Sequence, residues 1–435
     1  MQYPLENFVR NSIFKLADYE IWIVIFAVGM GVIFPGFLSI ALGIIIFFWF
    51  VRWFAYGRLS LHTPVDIIIV SLIVVLLLNF STSISKQITL PQILRLLTGI
   101  GLFYAIINWA STIKKIRILV LGLALFAIFL SIYGLFSVEW NPSKIPIIPQ
   151  SIYEYIPTLL SDVVHRNVMG GMLIIIFPCL LALLLFESRL LSKLEFIIYI
   201  ASILTSAAVL ILTQTRGAWI SFIFVFLILV FLKLDLKTEH LIILIIISAT
   251  IIFLGRQFFI DAFNVSNASI QGIQGRLEIW NRALAMIQDF PITGIGMGLF
   301  GKFADELYPF IHFSPGSIPH AHNVFLQVAV DLGFPGLINW FAMLICIFYL
   351  ALRLFISSKK NQVVWVTGLS AGLLTGQMAL VIHGIFDSVI WGMIRPAPIV
   401  WALWGLILAS FLVTENHFQN CGIEKHVTST SIEDR

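Results

Sequence analysis

The sequence predicts an all-α polytopic membrane protein with about twelve transmembrane helices and a long loop on one face. Three observations carry that prediction. Of 435 residues, 60% are hydrophobic and only 11% charged, where a soluble domain carries about 25% charged residues. Mean hydropathy is +1.01, and apolar runs approaching or exceeding bilayer length recur from end to end. The polar segments between those runs alternate, one set rich in lysine and arginine and the other poor.

Taken in order, the first run covers 20–34 and is stopped by Pro35-Gly36. The next runs are 38–54, closed by Arg52 and Arg58, then 65–80, 94–110 and 118–136. A loop rich in proline and aromatics, 138–166, leads to His165-Arg166-Asn167, which opens the run 168–186. Runs 194–212, 218–232 and 241–254 follow, and the longest non-spanning stretch is 255–320. Gly333-Phe-Pro-Gly336 then breaks the chain before runs 337–356, 363–386 and 399–413. The expected division is 1–254 (about nine spans), loop 255–321, 322–413 (about three spans) and a polar tail, 414–435.

Twelve spans put both termini on one face. Arg10, Lys15, Arg52, Arg58, Lys114, Lys115, Arg117, Arg189, Lys193, Lys233, Lys237, Arg353, Lys359 and Lys360 all fall there, so that face is expected to be cytoplasmic. Residues 2–19 lack a signal-peptide pattern, so the first run is expected to be a retained helix. Cys179, Cys346 and Cys421 show no metal-ligand or disulfide spacing. The opposite face receives the loops 138–166 and 255–320 and the turns 213–217 and 383–395. Its few cations, Arg95, Arg166, Arg216, Arg276, Arg282 and Arg395, each become a candidate for a specific task. No internal repeat suggests an inverted-repeat transporter.

The most informative stretch is His320-Ala-His322-Asn323, where the polar loop re-enters an apolar helix. A neutral imidazole there can take a proton from an attacking hydroxyl, so His322 is the general-base candidate, with His320 and Asn323 to orient it. The competing reading is an interfacial histidine bonded to a carbonyl. Arg216, in Thr213-Gln-Thr-Arg-Gly-Ala-Trp219, adds a planar donor fork to a helix start, a geometry suited to phosphate. Its bland alternative is an arginine snorkelling to headgroups. Arg276 opens a second such start. Leu277, Trp280, Leu284 and Ile287 make that helix amphipathic and suited to the membrane surface, with Glu278 set to pair with Arg282. Gly294-Ile-Gly-Met-Gly298 lacks dinucleotide-fold context and reads as a tight turn. His383 and Asp387, one turn apart, suggest a supporting pair, a proton relay or a structural cap. Asp331 lies in an apolar stretch and needs a partner.

Together these pieces resemble the O-antigen ligase and polymerase superfamily of bacterial membrane proteins (the Wzy_C type). His322-Asn323, nine residues and Gly333-x-x-Gly336 match its signature, and Arg216-Gly-Ala-Trp219 and Gly275-Arg276 with Trp280 resemble its two arginine segments. The resemblance implies a twelve-helix fold of the GT-C-like glycosyltransferase type. It also implies an undecaprenyl-diphosphate-linked glycan as donor. Arg216 and Arg276 would then bind the diphosphate and His322 would activate an acceptor sugar hydroxyl. His320, Asn323, Trp219, Trp280, Arg282, His383 and Asp387 would support them.

The implied reaction is a single inverting transfer without metal or other cofactor, on the periplasmic face of the bacterial inner membrane. Lipid A–core oligosaccharide is the foremost acceptor, and no nucleic acid is expected as a partner. Polysaccharide polymerisation and protein O-oligosaccharyl transfer belong to the same class. A bicarbonate transporter, a label carried by some cyanobacterial relatives, is the alternative of another class. Its expected midplane charges contrast with the clustering of polar groups at one face of this chain.

Overall fold

The structure, a computed structural model, describes residues 11–138, 140, 149–157, 159, 164–235, 239, 273–392 and 397–430. Its helices in order are α1 (Glu20–Ile33), α2 (Leu38–Tyr56), α3 (Asp66–Thr82), α4 (Lys86–Trp109), α5 (Ile113–Ser137) and the single turn α6 (Gln150–Glu154). They continue with α7 (Arg166–Glu187), α8 (Lys193–Thr213), α9 (Arg216–Leu234), α10 (Ile273–Asp289) and α11 (Phe300–Glu306). The last are α12 (Val324–Lys360), α13 (Val364–Phe386), α14 (Val389–Gly392) and α15 (Ala397–Thr430). Among the described residues the only β feature is an isolated bridge between Val138 and Val164.

Nine of the described helices, α2, α4, α5, α7, α8, α9, α12, α13 and α15, are long and apolar enough to cross a membrane. Helices α1 and α3 are apolar but shorter, and they fall on the first and third predicted spans. The ninth predicted span, 241–254, and Arg395 lie outside the described residues.

The apolar runs are helical because a chain in hydrocarbon must satisfy its backbone within each segment. Polar residues then punctuate the helices. Ser192 and Glu195 form a reciprocal capping box at the start of α8, and Gly57 closes α2 at φ 69°. Helix α7 sits at the centre and packs most extensively on α13. Gly372 and Gly376 permit that approach, since a Cβ on either would lie within 2.9 Å of the α7 backbone at Cys179 or Ile175.

One end of the bundle holds the cation pairs. Arg52 meets Glu20 at 2.9 Å in a buried pair, Arg117 grips Glu195 at 2.9 and 2.6 Å, and Lys359 meets Asp235 at 2.5 Å. The opposite end carries the starts of α7, α9 and α12 and the end of α13, and the candidate site residues with them.

A smaller second core caps that opposite end. Ile279, Ala283, Met286 and Ile287 of α10 pack with Phe300 and Phe303 of α11 and with Ala329 and Val330 of α12. The predicted apolar face of this helix is therefore rotated. Leu277 and Leu284 are 49% and 48% exposed, while the 279/283/286/287 stripe is buried. Helix α10 carries apolar residues on two faces, and the one with compact Ala283 meets the protein. Glu278 also departs from expectation. It holds His312 Nδ1 at 2.8 Å and the Ile311 amide, rather than Arg282.

The predicted break at Gly333 is a kink within α12, where Gly333 has φ 69° and ψ −172°. It docks on the glycine turn 294–298. A Cβ on Gly294 would stand 2.2 Å from the Asp331 carbonyl, and one on Gly333 would stand 2.6 Å from the Ile292 backbone. Positive φ and close backbone contact coincide at both positions, so only glycine fits.

Candidate active site

Four helix starts meet around the C-terminal end of α13. Asn323 caps α12 by accepting from Phe325 N at 2.9 Å and Leu326 N at 3.0 Å, while its side-chain NH₂ donates to the Ile385 carbonyl at 3.1 Å. Arg276, near the start of α10, donates Nη1 to the Phe386 carbonyl. Asn167, at the start of α7, donates to Asp387 Oδ2 at 2.9 Å. Thr215, which precedes α9, donates to the Arg166 carbonyl at 3.3 Å and so ties the α7 and α9 starts together. Helix starts bear partial positive charge and unused N–H groups, so their convergence favours an anion.

Three arginines reinforce that field. Arg216 is partly buried and lies within electrostatic reach of both Arg276 and Arg166. Arg276 is also within reach of Asp387. Burial lowers the proton affinity of Arg276, and the Asp387 charge partly restores it.

Asp387 is the hub. Helix α13 ends at Phe386, and Asp387 takes extended backbone angles as its cap. Its carboxylate faces the histidine loop, with Oδ1 3.6 Å from His322 Nδ1 and 3.9 Å from His320 Nδ1. The Ser388 amide adds a bond to Oδ1 at 2.8 Å. Burial acts to raise this carboxyl, but the attraction of His322, His320 and His383 outweighs it and holds the group well below the usual carboxylate range. His320 goes the other way. Burial, followed by repulsion from His322, pushes it down to about 3, so its ring is neutral near neutral pH.

His322 keeps about one fifth of its side chain exposed, with Nδ1 buried toward Asp387. Its backbone sits at φ 50°, a left-handed value unusual for a residue with a Cβ. The two imidazoles meet edge to face with centroids 4.2 Å apart, and the His322 amide donates to His320 Nδ1 at 3.3 Å.

Most predicted site residues thus gather at one end, in roles that partly differ from expectation. Asn323 caps a helix rather than touching the His322 ring. His383 is buried and contacts Asp387 through its carbonyl, which accepts the Asp387 amide at 2.9 Å. The helix ends between the two, yet their side chains remain within electrostatic reach of one another. Trp219 donates its indole N–H to the Leu210 carbonyl at 2.9 Å. Trp280 packs at the edge of the smaller core, and Arg282 is partly buried on the same helix. Asn167, Thr215 and Gln327 do not stand out in the sequence as site residues. The motif His165-Arg166-Asn167 is the one available signal for the first of them.

Ligand atoms of His320, His322 and Asp387 lie within 4.8 Å of one another, and these three could hold a metal ion. Arg276 is within electrostatic reach of both His320 and Asp387, which opposes a dication and suits an anion. An apolar cavity of about 450 Å³, lined by Trp22, Phe126, Phe129, Tyr133, Met172 and Pro398 among others, contains none of these site residues.

Residues 200–341 match the O-antigen ligase family model, Wzy_C. The matched segment contains Arg216, Arg276, His320, His322, Asn323, Gly333 and Gly336, but neither Asn167 nor Asp387. The match supports a membrane enzyme of O-antigen ligase or polymerase type. No curated protein matches the chain.

Proposed function

We propose that the chain transfers a glycan from an undecaprenyl-diphosphate carrier to an acceptor sugar hydroxyl, foremost that of lipid A–core oligosaccharide. The observation that carries this reading is the meeting of His322–Asp387 with the Arg216/Arg276 helix starts. With Nδ1 turned to Asp387, the opposite ring nitrogen, Nε2, is the atom left for an acceptor hydroxyl. The acceptor oxygen forms its bond to the anomeric carbon while the bond from that carbon to the diphosphate breaks. The leaving electron pair goes to the diphosphate oxygen and the acceptor proton to His322 Nε2.

Asp387 steadies the imidazolium that results. Arg216 and Arg276 balance the charge that accumulates on the departing diphosphate. Attack opposite the leaving group inverts the anomeric centre, and no step calls for a metal. We assign the site to the periplasmic face, with both termini cytoplasmic. Residues 273–321, the described part of loop 255–321, then form its outer wall with the second core, between the membrane segments 1–254 and 322–413, and 414–435 is a cytoplasmic tail. Clustering of the candidate site residues at one bundle end favours surface transfer chemistry over transport.

The test is transfer by purified protein from a polyprenyl-diphosphate glycan, with lipid A–core or a second lipid-linked glycan as acceptor, with and without chelator. Ligation that survives chelation is expected. Chain growth in place of ligation would make the chain a polymerase. No transfer to either acceptor by folded protein would overturn the reading.

A further inference from the structure

The mechanism leaves one buried polar chain unused. Asp331 lies within α12, two residues before the kink, and is 1% exposed. Its Oδ2 accepts the Trp391 indole N–H at 2.9 Å, and its Oδ1 accepts Gln327 Nε2 at 2.9 Å. The other end of that amide, Gln327 Oε1, accepts the backbone N–H of Ala321 at 2.7 Å. Ala321 is fully buried between His320 and His322. The far side of the chain is anchored too. Arg95, fully buried in α4, donates to the Trp391 carbonyl at 2.9 Å, and Asn79 of α3 donates to the Asp331 carbonyl at 2.6 Å.

The chemistry fixes the direction of every link. A carboxylate only accepts, so Asp331 obliges Gln327 to turn its NH₂ inward and its carbonyl toward the loop. That carbonyl is then the acceptor for the Ala321 N–H. The next residue, His322, holds a left-handed φ of 50°, which persists only where surrounding structure imposes it.

We propose that Gln327 is a positioning residue for this site. Oriented by Asp331, it pins the Ala321 amide and thereby fixes the bend that turns His322 toward Asp387. The inference rests on the reading of His322 as the base, and it adds residues of α12 that touch neither donor nor acceptor.

The test reverses the polarity of the link. In Gln327→Glu alone, two carboxylates face one another. In Asp331→Asn alone, either amide orientation leaves two donors opposed, at Trp391 or at Ala321. In the double variant Gln327→Glu/Asp331→Asn, the Asn NH₂ donates to one Glu oxygen, the other Glu oxygen accepts from Ala321, and the Asn carbonyl accepts from Trp391. One carboxylate remains, as in the wild type.

Each single variant and Gln327→Leu should lower kcat for transfer by about 10–100-fold, the scale of a misplaced catalytic group. The donor KM should stay within about twofold, since the arginines are untouched. Amide hydrogen exchange over residues 317–323 should speed up in the same variants. The double variant should recover kcat to within about threefold of wild type, the non-additivity expected of directly coupled groups.

A wild-type kcat in Gln327→Leu, or a double variant no better than the singles or unable to fold, would overturn the inference while leaving His322 as the base. Should the singles fail to fold, a folded and active double variant still supports the link. Full activity in His322→Ala would instead overturn the functional reading itself.

Discussion

His322 Nδ1 stands 3.6 Å from Asp387 Oδ1, bringing the residue just before the α12 cap onto the residue that ends α13. Neither helix is aimed by its own sequence at the other. The contact exists because α13 stops at Phe386, and because Asn323 and Arg276 hold the last α13 carbonyls. The carboxylate thereby lies on the Nδ1 side of the His322 ring.

Asp387→Asn should therefore reduce kcat by about 10²–10⁴-fold, by removing both the orienting acceptor and the charge that steadies the imidazolium. Donor affinity should change far less. Steady-state kinetics with the donor varied separate the two, and a loss confined to KM would argue against the role.

Arg276→Lys should not behave as a conservative change. The guanidinium uses one nitrogen on the Phe386 carbonyl and leaves further donors for a phosphate, which a lysine cannot reproduce. We expect kcat/KM for the donor to fall about tenfold or more in Arg276→Lys and further in Arg276→Ala. Competition by inorganic diphosphate should weaken in parallel.

Acid should destabilise the protein through His320. Its folded-state value, about 3, lies below the unfolded value of about 6.5. The unfolded chain then binds more protons between those limits, so stability falls as pH drops through that window and is level above it. Moving from pH 7 to pH 5 should cost roughly 1–2 kcal/mol from this group. Asp387, held low, contributes nothing to the change in that range, because its stabilisation is complete above the unfolded carboxylate value. Thermal unfolding of wild type and His320→Gln at both pH values checks this, and equal acid sensitivity in the two proteins would refute it.

Gly333→Ala and Gly294→Ala should both impair folding, because each adds a Cβ less than 3 Å from backbone at a positive φ. Gly316 has a positive φ with nothing within 4 Å, so Gly316→Ala isolates the conformational strain, about 1–3 kcal/mol at most. The yield of monodisperse protein in detergent should rank Gly316→Ala above the other two.

The nine described helices long and apolar enough to span are legible in the sequence because hydrocarbon leaves the backbone few choices, and the apolar runs record that directly. The His322-Asn323 and Gly333–Gly336 pairs are legible because a helix start and a kink need particular residues. The partners of Asp331 are not. Gln327, Trp391, Asn79 and Arg95 come from three other helices and from its own, and no local spacing encodes such a meeting. Charge pattern places Arg95 among the cations of one face, yet it is buried and bonds to Trp391. The buried face of α10 is hidden from the sequence for a related reason. Two apolar stripes share one helix, and only the packing of α11 and α12 selects between them. Adjacency in sequence assigns Asn323 to the imidazole, whereas its geometry makes it a cap.

Everything proposed for the site depends on His322 taking the acceptor proton during glycan transfer. The most direct test is single-turnover transfer from a purified polyprenyl-diphosphate glycan to a sugar acceptor, comparing wild type with His322→Ala at equal donor occupancy. We predict that transfer slows by about 10²–10⁴-fold while donor binding persists. Transfer at the wild-type rate in folded, donor-bound His322→Ala would contradict that assignment.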